Sequence, residues 1–456
     1  MDQKTLVRLT RSLANGLSRR RLAGLASFAV ARIAAAPIDL AAKKKKKTCK
    51  SDLTRCTVKK GKKKKATCVN VQNNSSHCGG CGNVCPGSQT CSNGSCVNSA
   101  CAPDPKAVTC DAKCGSVMNN CQQAVNCGVC GCLPAGTTSD LQAAVDAVNP
   151  GETLTLCAGT WNITATVIIG DDMTLKGAGV GQTILDGGDA VRVLLIESDA
   201  VVDLEDLTIR KGLAIGADNR GGGIRNDGTL EMQRVEVTGC EALHGGGVAN
   251  FGMLDLHDGV LIRENEATQG GGGIDAWQGS VTTMHDGSVV SNNTAVRGGG
   301  VSLWACLLTL GSGSRIRGND GTSNAGGIYS LSSTVVLQDG SLVGGAAEGD
   351  GNNGVADSGG IYASSGTVTL ESGSKVIGNS APLGAGIGSS YATVTVRAGS
   401  RVSGNVASSN GGGLYIFAGS ATVETGARVC DNLPLNAQCV GTTSGQCPAP
   451  AEACPA

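Results

Sequence analysis

Three sets of side chains in this 456-residue chain have types and spacings that could do chemistry: clustered cysteines, a few carboxylates and histidines, and aromatic rings at a recurring phase. Fifteen of the 22 cysteines lie between Cys49 and Cys132. Cys78 with Cys81, and Cys127 with Cys130, have the two-residue gap of a zinc-ligand pair. Turn formers surround the first pair: Gly79, Gly80, Gly82, Pro86, Gly87 and the Asn93-Gly94 dipeptide. Such density in a turn-rich stretch reads as disulfide-stapled loops, which persist outside the cytosol. A thiol redox role for Cys78 and Cys81 would need a helix start after them, and none follows. The expected bonded set includes Cys78, Cys81, Cys85, Cys91 and Cys96 in one unit, and Cys110, Cys114, Cys121, Cys127 and Cys130 in a second. Counting from Cys49 to Cys132 and adding Cys157 gives an even sixteen. Cys430, Cys439, Cys447 and Cys454 are expected to close the C-terminal end.

Hydrolysis of a glycoside needs two carboxylates on one face of neighbouring elements. The candidates are Asp171 and Asp172, then Asp203, Glu205 and Asp206, then Asp255 and Asp258. Asp171 and Asp172 follow Gly170 and read as a turn, while Asp258, Asp286 and Asp339 each precede a turn glycine. His244, His257 and His285 sit at unrelated phases, with His257 and His285 close to one repeat apart as a surface pair. No catalytic residue is assigned on this pattern, and neither a metal nor a cofactor is called for. Arg315, Arg317, Arg397 and Arg401 are scattered and form no basic face for nucleic acid.

The elements that position these groups are repeats. Gly-Gly-aliphatic triplets place Ile224, Val248, Ile274, Val301, Ile328, Ile361, Ile387 and Leu414 at spacings of 24, 26, 27, 27, 33, 26 and 27. A turn glycine keeps the same beat at Gly259, Gly287, Gly313, Gly340, Gly373, Gly399 and Gly426. So does an asparagine row, Asn265, Asn293, Asn319, Asn379, Asn405 and Asn432. Three rows in register at this period signal a solenoid. Runs such as Thr367-Val368-Thr369-Leu370 alternate strictly, which is the period of a half-buried strand. The expectation is an all-β chain whose residues 133–432 coil into a right-handed parallel β-helix of about eleven turns, three short strands to a turn. The asparagines are expected to stack as a ladder, each amide bonding to the rungs on either side. Cys240 and Cys306 fall at different phases more than two turns apart, too far for a bridge, and are expected to stay unpaired. Leu141 to Val148 reads as a short helix covering the open N-terminal end.

Aromatic residues are scarce, ten in all, yet seven of the nine beyond residue 133 share a phase. Tyr329, Tyr362 and Tyr415 lie one position after the anchoring aliphatic; Phe251, Trp277, Trp304 and Phe417 lie three after it. Alternation turns both positions outward, which predicts a ligand-binding aromatic strip. The competing account has the later position at a bend, where a ring shields the turn of the next rung.

Around the array, residues 1–42 read as an export leader. Ser18-Arg19-Arg20-Arg21-Leu22 is similar to a twin-arginine signal, and the apolar run that follows is too short to span a bilayer. Residues 43–66, with lysine runs at 43–47 and 62–65, read as a solvated linker, 67–132 as the cysteine-rich module, and 433–456 as a Pro/Ala/Cys tail.

Three resemblances follow from these motifs. The stretch HCGGCGNVCPGSQTCSNGSCV resembles small cysteine-rich modules of secreted bacterial proteins and plant stigma-specific proteins. Asp140 to Thr208, with TLKGAG and TILDGG, is similar to the N-terminal rungs of pectate-lyase-like β-helices. From Gly222-Gly223-Ile224 onward the triplets resemble the repeats of polymorphic outer membrane proteins, with Ala385 interrupting them once and Val or Ile replacing Phe in that family's Phe-x-x-Asn motif. The family's membrane barrel has no counterpart after Asn432, so membrane insertion is not implied. The β-helix superfamily includes polysaccharide lyases, hydrolases and esterases. A pectate lyase would need acidic calcium ligands and an arginine base. The expected function is therefore that of a non-catalytic secreted or cell-surface protein acting in adhesion or in binding carbohydrate or the cell envelope. A polysaccharide-degrading enzyme is the alternative.

Overall fold

Aliphatic residues alternating with Thr, Ser and charged residues can satisfy both burial and solvation only as one-sided strands. In the computed structural model those strands stack as a parallel β-helix. The structure describes Cys49, residues 53–60, 63–86, 89–98, 116–118 and 124–126, and 131–440 apart from 346 and 348. The leader read over residues 1–42 lies outside these, as do Cys110, Cys114, Cys121, Cys127, Cys130, Cys447 and Cys454. The chain divides into two units, one within residues 1–109 and 118–125, the other within 110–117 and 126–456.

In the first unit, Thr54–Lys60 pairs antiparallel with Lys63–Val69, Thr54 opposite Val69. Part of the stretch read as linker is thus a hairpin. Disulfide Cys49–Cys68 ties the residue ahead of the hairpin to its second strand, Cys56–Cys81 joins the hairpin to the cysteine-rich module, and Cys78–Cys91 and Cys85–Cys96 complete the set described in this unit. The sulfurs of Cys78, Cys85 and Cys96 lie within 4.8 Å of one another, but each is consumed by a disulfide and none is a thiolate ligand. Asn93 and Gly94 carry φ of 48° and 78° at the tip of the hairpin Gln89–Ser92 with Ser95–Asn98, the left-handed pair that a two-residue turn requires.

The second unit opens with helix α1, Thr138–Asp146. It starts three residues earlier than its apolar pattern, because Thr137 is the cap and Asp140 reciprocates in a capping box. Leu141 and Val145 are its buried face. One rung of the solenoid runs through Ile274–Ala276, Val281–Met284, Val289–Ser291 and Thr294–Arg297. That makes four segments, not three: the turn at Asp286-Gly287 bends one face, and both halves belong to a twenty-stranded sheet. The other two faces are sheets of eleven and eight strands. Eleven strands, from Val167–Ile169 to Ala437–Val440, enclose ten full turns, a rise of about 48 Å at the interstrand spacing. The last strand lies in what reads as tail, so the array continues beyond residue 432.

The interior is stacked aliphatic columns: Ile262, Val290, Ile316, Val343, Val376 and Val402 all have zero exposure. Gly-Gly precedes the anchor because the backbones of successive rungs nearly touch there. A Cβ at Gly272 would lie 2.5 Å from the carbonyl oxygens of Gly299 and Thr294. Beside this core, Asn265 Nδ2 donates to Asn293 Oδ1 at 3.0 Å, and the chain of amides continues through Asn319, Asn352, Asn379, Asn405 and Asn432 to Asn436. Each Oδ1 also accepts the backbone N–H of the preceding asparagine. At the head of the ladder it is Cys240 N–H that donates to Asn265. Cys240 and Cys306 are free and buried, while Cys430 and Cys439 are disulfide-bonded. Disulfide Cys132–Cys157 closes the N-terminal rungs.

Candidate functional site

Alternation in the eleven-stranded sheet aims the residue after each anchor outward. Strand register stacks Ala249, Asp275, Ser302, Tyr329, Tyr362, Gly388 and Tyr415 in one column. Trp304, Leu331, Ser364, Ser390 and Phe417 make a second column two residues on. The rings do not keep to two separate columns. They form one file that changes column between Trp304 and Tyr329. Phe251 stacks on Trp277 at 6.3 Å, and Trp277 on Trp304 at 5.5 Å with 4° between planes. Trp304 meets Tyr329 at 6.3 Å, tilted by 47°, and Tyr329 stacks on Tyr362 at 5.6 Å. Each such pair adds about 0.5–1.5 kcal/mol beyond its buried area. Trp277 and Trp304 lie side by side and half-buried, between the full exposure of a free platform and the burial of a core pair. Tyr415 is half-buried, Phe417 is exposed, and the solvent-facing Tyr391 meets Phe417 edge-on at 6.0 Å.

Guanidinium groups cover part of the file. Arg220 lies 4.2 Å from the Trp277 ring centre and 5.5 Å from that of Phe251; Arg297 lies 5.8 Å from Trp304 and 6.0 Å from Tyr329. Arg225 also reaches Phe251 but is paired to Asp227 and Asp218. Among the described residues no carboxylate pairs with Arg220 or Arg297. Beneath the rings, Asp275 is fully buried. Trp277 Nε1 donates to its Oδ2, and His244 Nδ1 stands 3.4 Å from the same oxygen. Its Oδ1 has no hydrogen-bond partner among the described residues. Loss of hydration drives the Asp275 carboxyl above its ordinary value. His244 is mostly covered and sits edge-on to Trp277 at 5.4 Å.

Arg220 and Arg297 are candidate-site residues that the sequence reading did not single out, and His244 is one that it weighed and assigned no role. A signal existed: all three lie four residues before an anchor, at Ile224, Val248 and Val301. Asn324 and Asp357 share the phase, and Asn324 Nδ2 donates to Asp357 Oδ2.

The other acidic candidates lie on the twenty-stranded sheet. Lys176 bonds Glu205 at 2.7 Å and Arg234 bonds Asp206 at 2.5 Å, a network that satisfies both carboxylates. Asp172 accepts the N–H of Val201. Asp203, Glu231 and Asp255 stack on three consecutive rungs. Next to them His257 and His285 stack at 4.5 Å with 2° between planes; His257 Nε2 is 3.8 Å from Glu231 and His285 Nε2 is 3.9 Å from Asp255. No group of carboxylates and histidines among the described residues converges closely enough to hold a metal ion.

No protein-family model and no curated protein matches the chain. Among solved structures it is similar to a mannuronic-acid-specific polysaccharide family 6 lyase from human gut microbiota, at 13% identity with a TM-score of 0.27, covering 69% of this chain and 92% of that one.

Proposed function

We propose that this is a secreted or cell-surface β-helix protein that binds polysaccharide or cell-envelope glycans through the file of rings on its eleven-stranded sheet. The observation that carries the reading is the file itself. It places one ring per rung from Phe251 to Tyr362, flanked by the guanidinium groups of Arg220 and Arg297, with which no carboxylate pairs among the described residues. Sugar rings present C–H faces that pack on aromatic planes, and hydroxyls that accept from guanidinium N–H. The disulfides fit an oxidising, extracellular compartment. Among the described residues no helix is long and apolar enough to cross a membrane. The test is a glycan array with the full chain, repeated with Trp277→Ala plus Trp304→Ala. Loss of binding at a nearly unchanged melting temperature supports the reading; loss of folding returns both indoles to a packing role.

One observation favours a second reading, a polysaccharide-degrading enzyme. His244, its Nδ1 3.4 Å from the buried Asp275 carboxyl, lies one rung from Arg220, and both pack on Trp277. A histidine base next to a free guanidinium has the equipment to remove a proton α to a carboxylate, with the cation neutralising the acid group. Incubation with polyuronates, followed by the ultraviolet absorbance of unsaturated products, tests it. Activity abolished by His244→Ala would put the enzyme first.

A further inference from the structure

The outward column is interrupted once. Gly388 stands in register between Tyr362 and Tyr415, and Ser390, two residues on, is small as well. No ring of either column therefore occupies this rung. The cleft left there measures about 190 Å³ and is lined by Asp357, Ser358, Tyr362, Ser390, Tyr415 and Phe417 among others. Its volume is that of roughly six waters, the scale of one six-membered sugar ring. Tyr362 and Tyr415 are two rungs apart, about 9.6 Å along the axis. Adjacent tyrosines in the same column stack at 5.6 Å, so the interval between Tyr362 and Tyr415 accommodates one more flat body and not two.

A second feature points independently to a ligand. Ser358 is 1% exposed and its Oγ has no hydrogen-bond partner among the described residues. The position a Cβ of residue 388 would take lies 2.1 Å from that oxygen. The hydroxyl is thus aimed into the space that the glycine keeps open. A buried polar atom left without a partner is costly, and a ligand hydroxyl would supply one. Asp357 lies on the same rim with an acceptor oxygen free of Asn324.

We propose that the Gly388 cleft is a subsite for a single neutral pyranose ring, stacked between Tyr362 and Tyr415 with its hydroxyls on Ser358 Oγ and the Asp357 carboxyl. The proposal rests on the glycan-binding reading of the ring file and names what one rung of it takes. A uronate is disfavoured because its carboxylate would approach Asp357, and among the described residues no free guanidinium lines the cleft.

The experiment titrates the full chain with the methyl glycosides of glucose, galactose, mannose and N-acetylglucosamine, and in parallel with glucuronic and galacturonic acids. Saturation-transfer NMR and calorimetry are the readouts. At least one neutral glycoside is expected to bind and both acids to bind at least tenfold more weakly. Gly388→Tyr combined with Ser358→Ala, which removes the 2.1 Å clash and restores a ring to the column, is expected to lower that affinity at least tenfold. Should that variant not fold, Asp357→Asn and Tyr415→Ala are each expected to lower affinity severalfold. Binding of no neutral probe, tighter binding of a uronic acid, or undiminished binding by the filled variant (or by both single variants) overturns the subsite. Failure of the wider reading registers separately, as polysaccharide binding that survives Trp277→Ala with Trp304→Ala.

Discussion

Asn352 gives the sharpest test of what holds the rungs in register. Its carboxamide makes four hydrogen bonds: Oδ1 accepts from Asn319 N at 3.0 Å and from Asn319 Nδ2 at 2.9 Å, while Nδ2 donates to Ile316 O and to Asn379 Oδ1, each at 2.9 Å. Asn352→Ala deletes all four. Some former partners keep another: Asn319 Nδ2 still reaches Val290 O, and Asn379 Oδ1 still accepts the N–H of residue 352. The N–H of Asn319 is left buried with nothing to donate to, at a cost of about 1–3 kcal/mol. The remaining lost bonds add about 0.5–1.5 kcal/mol each, less what relaxation recovers, so a loss near 3 kcal/mol is expected. The neighbouring Asn353 is exposed and its side chain bonds only Ser380 across the surface, so Asn353→Ala is the control, with an expected loss below about 0.5 kcal/mol. Paired thermal melts give the global difference. Because each rung touches only its neighbours, hydrogen exchange should show protection lost around residues 316–319 and 376–379, with the distant rungs spared. If both variants melt together, the amide ladder is not a source of stability and the reasoning fails.

Two further outcomes follow from buried groups. Burial pushes the Cys240 thiol up to about 12 and raises that of Cys306, so neither is expected to react with iodoacetamide at pH 8 until the chain is unfolded; rapid labelling of either in the folded protein would undo the register. Asp275 has its carboxyl raised by burial, so its contribution favours folding below the ordinary carboxylate value near 4 and is lost as pH rises through the folded-state value. Asp275→Asn, which can still accept from Trp277 Nε1, should therefore raise the melting temperature at pH 7 and change little at pH 3; a fall at pH 7 would show that the buried charge is instead stabilised by His244.

What the sequence made legible is what the backbone demands on every turn. Gly272 and Gly299 recur because a Cβ at either would meet carbonyl oxygens of the next rung near 2.5 Å, and such a requirement cannot drift. The asparagine row was readable for the same reason, except at Asn352. The rung from Ile328 to Ile361 is 33 residues long, and the extra loop around Gly345 and Gly351 delays the ladder asparagine from three residues after Val343 to nine. A serine column went unread. Ser288, Ser314, Ser341, Ser374 and Ser400 are buried, yet each donates to the carbonyl three residues back and so closes its own turn. The bend that makes four segments of three strands was hidden because its turn glycine looks like the end of a strand. Asp275 was beyond reach: its strand position faces out, and only the covering Trp277 and His244 make it buried.

The ring file separates shielding from contact by where its members sit. If aromatics were needed at the bend, the position three after the anchor would hold one on every rung. It holds Leu331, Ser364 and Ser390 on three consecutive rungs, and on the first two the ring moves instead to Tyr329 or Tyr362 in the other column. On the first three rungs the later position carries the ring and the earlier one is small (Ala249 with Phe251, Asp275 with Trp277, Ser302 with Trp304), whereas the rung of Leu414 carries a ring at both, Tyr415 and Phe417. What persists from rung to rung is a ring on this face, not a ring at a given backbone site, and packing of the turn does not require that. The rung of Gly388 has small residues in both columns, and Ser358 Oγ of the neighbouring rung, buried and without a partner among the described residues, faces the space they leave. A surface built only to cover its own strands would have closed that gap with any of the residues the solenoid uses elsewhere; a surface built to receive another molecule has reason to keep it open.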